Sequence, residues 1–475
     1  MKVLKSKRSV SFIIITFLIA GIYIAGTSHL AFAQEKKIRV LGREQQGKSM
    51  EVMNKIVKGF EEKNPGVKVE VEWASLDQLM TKMITAIQAN RAYEVVQGPT
   101  LSMAANLGVR QLIVPLNDVV DALGRDDYIK GLMRDFWGNN FQIPYWSYGC
   151  GLWYRDDLFK KQGLKPPETW DDMLKAAQAL TKGDQYGYSL IYGPTGWTNE
   201  HLLIYYYANG GKICDKDFNI VFDKEPYRTY MRETLEFFKK LKPFSPPGSV
   251  DYSWNEGQIA FAQGKVAMSP YWMRLLDNVV THNPAIEPDT RLVHIPLGPH
   301  GKMRGAGGGA HGWVVMAQSH YPELGKAFIK DFMSGENYVD FLLAIPGMYQ
   351  PSRKSYSQNA RWLSHPIIQK HKEDLMIATE AARLPNEITL EWTPEDPNLW
   401  NVFAEPLMFG KPITDFVQKV LVKGEDIGKA IDEAAQATRA DLTDSKKTVL
   451  QEIGEQNLVR IMGKVRLDAT YKGIK

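Results

Sequence analysis

The stretch KKIRVLGREQQGKSMEVMNKIVKGFEEKNPGVKVEVEW (36–73) decides the fold class. IRVL is a short apolar strand. Behind it, KSMEVMNKIVKGFEEK places Met50, Met53, Ile56, Val57 and Phe60 at the spacing of one helix face. Asn64-Pro65-Gly66 stops that helix, and VKVEVEW alternates as a half-buried strand does. Strand, helix and strand in immediate succession predict a β-α-β unit, and with it an α/β domain built on a parallel sheet.

Working outward, the pattern continues as a helix from about Leu76 to Asn90, a strand YEVVQG (93–98), a helical SMAANLGV (102–109) and an apolar LIVPL (112–116). A second α/β region follows the strand-like GCGLWYRDDLF (149–159). Its helix PPETWDDMLKAAQAL (166–180) has Thr169 as cap and Asp171 and Asp172 in the first turn, where carboxylates suit the helix dipole. An aromatic helix ending at Asn209-Gly210-Gly211 and the helix EPYRTYMRETLEFFKKL (225–241) come next. After a Pro-rich stretch to Pro299 lie the glycine run GAGGGAHG (305–312), the strand WVVMAQ (313–318) and the helix PELGKAFIKDFMSG (322–335). The last third is helical. No repeat or low-complexity tract interrupts the chain, which predicts two compact lobes connected by strands.

Length and composition set the outer bounds. With 475 residues, 44% of them hydrophobic, the chain can bury a large core and exceeds one typical domain. Lys2, Lys5, Lys7 and Arg8 precede an apolar run from Val10 to Gly26 and the tripeptide AFA (31–33), the pattern of a secretory signal cleaved after Ala33. Removing those four basic residues leaves equal numbers of acidic and basic side chains, so no basic surface for nucleic acid or acidic membrane is expected. No other stretch approaches the ~18–20 apolar residues of a membrane helix. The two cysteines, Cys150 and Cys214, lie far from the cleavage site, which excludes a lipid-anchored first residue and suits a periplasm. An exported compartment permits a disulfide between them; two buried free thiols fit equally well.

Five segments resemble one family in the family's own order: FEEKNPGVKVEVE (60–72), GLWYRDDLFKKQGLKPPETWDDMLKAAQAL (151–180), FAQGKVAMSPYW (261–272), KAFIKDFMSGENY (326–338) and GEDIGKAIDEA (424–434). They are similar to the extracellular solute-binding proteins of ABC importers, in the carbohydrate-binding group typified by maltose-binding protein. The resemblance implies a periplasmic-binding-protein type II fold, two α/β lobes joined by three crossover segments with a cleft between them. It divides the chain into 34–149 plus 313–350 and 150–312 plus 351–475, the tail beyond about Ser445 being longer than the family's usual end. It further implies a monomer that binds a small solute, a carbohydrate above all, and delivers it to membrane permease subunits, with no cofactor. Within that reading the alternatives are a polyol, a glycerophosphodiester or a quaternary-ammonium solute, since an aromatic box also holds a cation.

Sugars show hydroxyls at the edge and C–H patches on the ring faces, so a receptor needs planar aromatics and fixed polar groups. Twelve Trp, 21 Tyr and 19 Phe supply the first. Trp272 stands where the family places a stacking residue, and Ser269-Pro270 before it predicts a loop. Trp197, in a glycine-rich loop, and Trp254, at a helix start, are further candidates whose other reading is packing. Trp146 and Tyr148 precede the first crossing. Arg43, Glu44 and Gln45 follow the first strand at its carboxyl end, where open α/β sheets bind ligands. Gly307, Gly308 and Gly309, at the second crossing, are read as bare backbone lining the cleft, with His311 beside them as a hydrogen-bonding residue. Trp392 is a further platform, with Trp400 as its competitor. Trp73 and Trp170 are assigned to packing.

Catalysis finds little support. His201, His282, His294, His300, His320, His365 and His371 show no metal-ligand spacing, and no Gly-x-Ser-x-Gly elbow is present. The glycine run lacks the strand-to-helix context of a phosphate-binding turn. Asp156-Asp157 and Asp171-Asp172 read as turn and cap residues. A secreted carbohydrate-active enzyme is the rival from another class.

Overall fold

Strand β1 (Lys36–Gly42) runs parallel to β2 (Val67–Trp73) along its whole length, Lys36 opposite Val67 and Gly42 opposite Trp73. The intervening helix α1 (Gly47–Lys63) buries Met53, Ile56 and Phe60, so the β-α-β reading of this stretch holds residue by residue. The computed structural model describes residues 35–474 except 216, 254, 303–307, 384–391, 394, 395, 401, 404–406, 408, 409 and 472. The secretory signal read in residues 1–33 and the candidates Trp254 and Gly307 lie outside the described residues.

The first lobe continues with α2 (Leu76–Gln88), β3 (Val95–Gln97) and α3 (Leu101–Val109), with β3 parallel to β1 on the side away from β2. Strand β4 (Ile143–Arg155) then carries the chain across. Its residues from Ile143 to Gly149 pair with β7 (Gly308–Val315). From Cys150 onward the partners are β5 (Met268–Trp272) and β6 (Thr290–Val293). One thirteen-residue strand therefore belongs to two strand sets, and the hand-over falls at Gly149–Cys150. β7 crosses back: Gly308 to Trp313 pair with β4, and Trp313 to Val315 pair antiparallel with β3. The helices that follow, α8 (Pro322–Phe332) and α9 (Gly335–Leu342), pack into the first lobe. There Phe328 meets Phe60 edge-on at 5.3 Å and Phe332 meets Trp313 at 4.9 Å.

The second lobe contains α4 (Trp170–Leu180), α5 (Gly196–Ala208), α6 (Tyr227–Leu241) and α7 (Arg274–His282). α4 opens with the expected cap: Asp172 N–H donates to Thr169 Oγ1 at 3.2 Å and Thr169 N–H to the Asp172 carboxylate at 3.1 Å. Trp170 packs face to face on Phe237 at 4.4 Å, and Trp73 lies over Gly42, as packing residues should. Helix α10 (Lys372–Arg383) crosses the β4/β7 junction. It is pinned to the second lobe by Asp374, which accepts the Leu292 N–H at 2.7 Å, and by His371 bridging Asp374 and Glu287.

β8 (Trp392–Thr393) and β9 (Asp396–Trp400) form a separate two-stranded ladder, with Trp392 opposite Trp400. The chain closes with α11 (Lys411–Leu421), α12 (Ile427–Ile453), α13 (Glu455–Met462) and α14 (Lys464–Thr470). One difference from the sequence reading appears here. The sequence assigns everything after residue 350 to the second lobe; in the fold, the last turn of α12 also bonds Arg110 of the first lobe and α13 contacts α3. No helix among the described residues is long and apolar enough to cross a membrane. Cys150 and Cys214 are both free thiols, and burial pushes each thiol up, that of Cys214 to about 12.

Candidate functional site

Two groups of side chains meet where β4 and β7 cross. The first is polar and comes from the carboxyl ends of β1 and β3. Glu44 is 2% exposed and accepts from Arg43 Nη1 at 2.7 Å, Tyr145 Oη at 2.7 Å and Tyr349 Oη at 3.0 Å. Burial works to raise its pKa, but the Arg43 charge and the bonds from Tyr145 and Arg43 bring it below the ordinary carboxylate value. Gln97 Oε1 accepts the Arg43 and Glu44 N–H groups at 3.1 and 3.4 Å, which fixes the orientation of its amide. Arg43 Nε and Gln97 Nε2 are buried donors with no hydrogen-bond partner among the described residues. Buried polar groups are rarely left so, and both suit a ligand oxygen.

The second group is aromatic. Trp146 and His311 are directly opposite in the β4/β7 register, as are Tyr148 and Gly309. Residues opposite in an antiparallel pair, and residues two apart on one strand, share a face. The rings follow: His311 stacks on Tyr148 at 4.8 Å, lies 5.4 Å from Trp146, and Tyr148 meets Trp272 edge-on at 5.3 Å. Tyr349 closes the group at 5.2 Å from Trp146. The register slips between Pro144 and Trp146, leaving Tyr145 as the extra residue of a bulge. Bulges re-aim side chains, and Tyr145 is the one whose hydroxyl reaches Glu44. His311 Nδ1 faces the Gly98 carbonyl at 2.8 Å, so Nδ1 carries the hydrogen. Burial, together with the Arg43 charge, lowers its pKa to about 3, so the ring is neutral and Nε2 is an acceptor at neutral pH.

The structure thus brings together Arg43, Glu44, Trp146, Tyr148, Trp272 and His311. Gln45 is exposed at the edge. Three sequence readings need correction. Trp197 sits in the first turn of α5 and is fully buried, propping Tyr271 at 5.1 Å and Trp272 at 6.0 Å; it is not on a loop, because Gly196 starts a helix. The segment before Trp272 is strand β5 and not a loop, with Pro270 opposite Leu152; its end leaves Trp272 half-buried. At Gly308 the close neighbour is α10. A Cβ there would stand 2.6 Å from both Ala382 Cα and the Tyr148 carbonyl, so the missing side chain makes room for a helix of this chain. Gly309 is buried opposite Tyr148. Trp392 has its backbone in β8, and its side chain lies outside the described residues.

Gln97, Tyr145, Tyr349 and Arg274 were missed. Gln97 ends β3 and could have been found by the rule that selected Arg43. Tyr349 carries no such signal, because its partners are about 300 residues away in sequence. Gln46, with its amide turned to satisfy its neighbours, accepts from Arg274 Nη1 and Nη2 at 2.6 and 2.8 Å and donates to Tyr349 Oη at 3.1 Å. This ties the loop after β1 to α7 of the second lobe.

A groove of about 620 Å³ lies between Met80, Ser102 and Asn106 on one side and Phe403, Thr448 and Glu452 on the other. None of the described residues singled out from the sequence lines it. No group of three or more His, Cys, Asp or Glu suited to a metal occurs among the described residues.

Comparison with known proteins matches residues 45–338 to the model of the bacterial extracellular solute-binding protein family. The arabinooligosaccharide-binding protein of Halalkalibacterium halodurans is 23% identical over 64% of this chain and 69% of its own length. The mannitol-binding protein of Pseudomonas aeruginosa is 26% identical over 46% of this chain and 50% of its own. Among solved structures, an ABC transporter solute-binding protein of Thermotoga lettingae bound with α-D-tagatose superposes with a TM-score of 0.70 at 21% identity, covering 86% of this chain and 99% of that one.

Proposed function

The chain belongs to the bacterial extracellular solute-binding protein family, and from the site it builds we propose that it captures an uncharged, hydroxyl-rich solute, a sugar or a polyol, between its two lobes. The observation that carries this reading is the meeting of the two groups. Trp272 from the second lobe stands against Tyr148 on the crossing strand, beside a polar set that the first lobe holds through Glu44 and Gln97. Planar rings suit the C–H faces of such a solute, and pre-oriented donors and acceptors suit its hydroxyls without an ordering cost at binding. The names of the mannitol-binding and arabinooligosaccharide-binding relatives, and the tagatose in the structural neighbour, favour the same ligand class.

On this reading the lobes comprise 34–149 plus 313–350 and 150–312 plus 351–475, and they close by hinge motion. A closed preference must come from contacts that both lobes make with the solute at once. The protein works as a monomer in the periplasm, reached through a signal cleaved after Ala33. It hands its ligand to the permease subunits of an ABC importer and performs no chemistry on it.

A thermal-shift screen of the mature protein across monosaccharides, oligosaccharides, polyols and choline-like compounds tests the proposal. A ligand at a hundredfold excess over its Kd adds about 2.7 kcal/mol of stability, so sugars or polyols should raise the melting temperature clearly. Stabilisation by quaternary-ammonium compounds alone would replace the ligand class. Release of new products from an oligosaccharide would replace the binding function with an enzymatic one.

A further inference from the structure

Helix α12 is 27 residues long, about 40 Å at 1.5 Å per residue, and its two ends are held by different lobes. Its first half lies on the second lobe, where Arg228 forks onto Asp432 and Arg439 donates to Asp223 at 2.5 Å and to the Ile220 carbonyl at 3.1 Å. Its last turn reaches the first lobe, where Arg110, just past α3, grips Glu452 with Nε at 2.7 Å and Nη2 at 3.0 Å. Gly454 and Gly463, with φ of 77° and 80°, then fold α13 and α14 back. α13 packs on α3, Arg460 Nη2 donates to Gln111 Oε1 at 3.3 Å, Leu458 and Met462 are buried, and Tyr471 meets Phe403 edge-on at 5.7 Å.

The contact lies on the flank of the first lobe that begins at the site. Met80 and Ser102 stand in the first two turns of the helices that follow β2 and β3, at the same carboxyl edge of the sheet as Arg43, Glu44 and Gln97. Asn106 at i+4 on α3 and Arg110 at i+8, the residue that caps it, continue the same face. All four line the groove of about 620 Å³ whose other wall is Val449 and Glu452 of α12 with Phe403.

We propose that the C-terminal extension is an interlobe strap. By clamping Glu452 onto Arg110 it holds the lobes near the angle at which this groove is complete, and so sets the affinity for solute. This rests on the reading that the lobes close over a ligand. A rod anchored at both ends resists their separation, so the ligand-free protein spends more time closed. Apparent affinity rises with that fraction.

Arg110 and Glu452 are on the surface, so reversing either charge leaves the core intact. In Arg110→Glu and in Glu452→Arg, X-ray scattering of the ligand-free protein should give a larger radius of gyration than wild type. The Kd for a sugar or polyol that wild type binds should rise about two- to fivefold, the scale of a well-aligned surface pair. The double reversal should restore both values. Any other pattern overturns the proposal, including wild-type values in the single variants or a double variant as open as the singles. Scattering needs no ligand, so a wild-type protein that binds no sugar or polyol defeats the functional reading separately, while the scattering arm still decides whether the strap exists.

Discussion

Glu44 and His311 show how one environment can hold one of two neighbouring groups charged and the other neutral. The carboxylate keeps its charge because Arg43 and two tyrosine hydroxyls compensate its burial, while the imidazole is buried near that same Arg43 and stays neutral. His201 repeats the second case inside the second lobe. Its Nδ1 accepts the Ile191 N–H at 3.0 Å and its Nε2 faces the Tyr188 hydroxyl at 2.6 Å, and burial lowers its pKa to about 3. A histidine held neutral in the fold binds its proton only on unfolding, so its contribution is complete above the unfolded pKa of about 6.5 and is lost as pH falls toward 3. Between pH 6 and 4, each of the two should steepen the loss of unfolding free energy by about 1.4 kcal/mol per pH unit. Denaturant melts should show His201→Gln with a slope shallower by that amount; an unchanged slope would mean the ring is already protonated in the fold. At this scale the strand-end rule made Arg43 and Glu44 legible in the sequence. Tyr349 was not, since its role is set by contacts that only the folded chain brings together.

The crossing strands are where backbone, more than side chains, decides. At Gly149 an added Cβ would stand 1.9 Å from the Ala378 carbonyl oxygen, and at Gly308 it would strike Ala382 and the Tyr148 carbonyl. Both obstacles are backbone of a helix or strand and cannot rotate away. Gly149→Ala and Gly308→Ala should each cost about 1–3 kcal/mol or more through overpacking, read as a fall in the denaturant midpoint. Gly163→Ala, with open space around its Cβ but φ of 66°, should lose less, through backbone strain alone. The β-α-β opening was legible because period-3.6 and period-2 patterns stand side by side within one short stretch. The glycine run was legible as a place of close approach but not as to what approaches, because α10 arrives from more than sixty residues downstream. β5 was misread because Pro270 signals a loop locally, while the pairing that overrides it comes from β4.

For the whole molecule, two lobes sharing crossing strands follow from the alternation of helix and strand patterns together with the family resemblance. β4 changes partners from β7 to β5 and β6 at Gly149–Cys150. α13 has an amphipathic pattern that fits either lobe, and its contact with α3 comes only from the fold. Closure should bring Trp272 onto the solute while Arg43 and Gln97 hold its hydroxyls, so ligand should both raise stability and alter the emission of the Trp146–Trp272 group. The most direct test is a tryptophan-fluorescence titration of wild type and Trp272→Ala with the best-binding sugar or polyol. Wild type should show a saturable change at micromolar Kd and the variant a Kd at least tenfold weaker, at equal folded stability of the two ligand-free proteins. Equal affinity in the two proteins would contradict this.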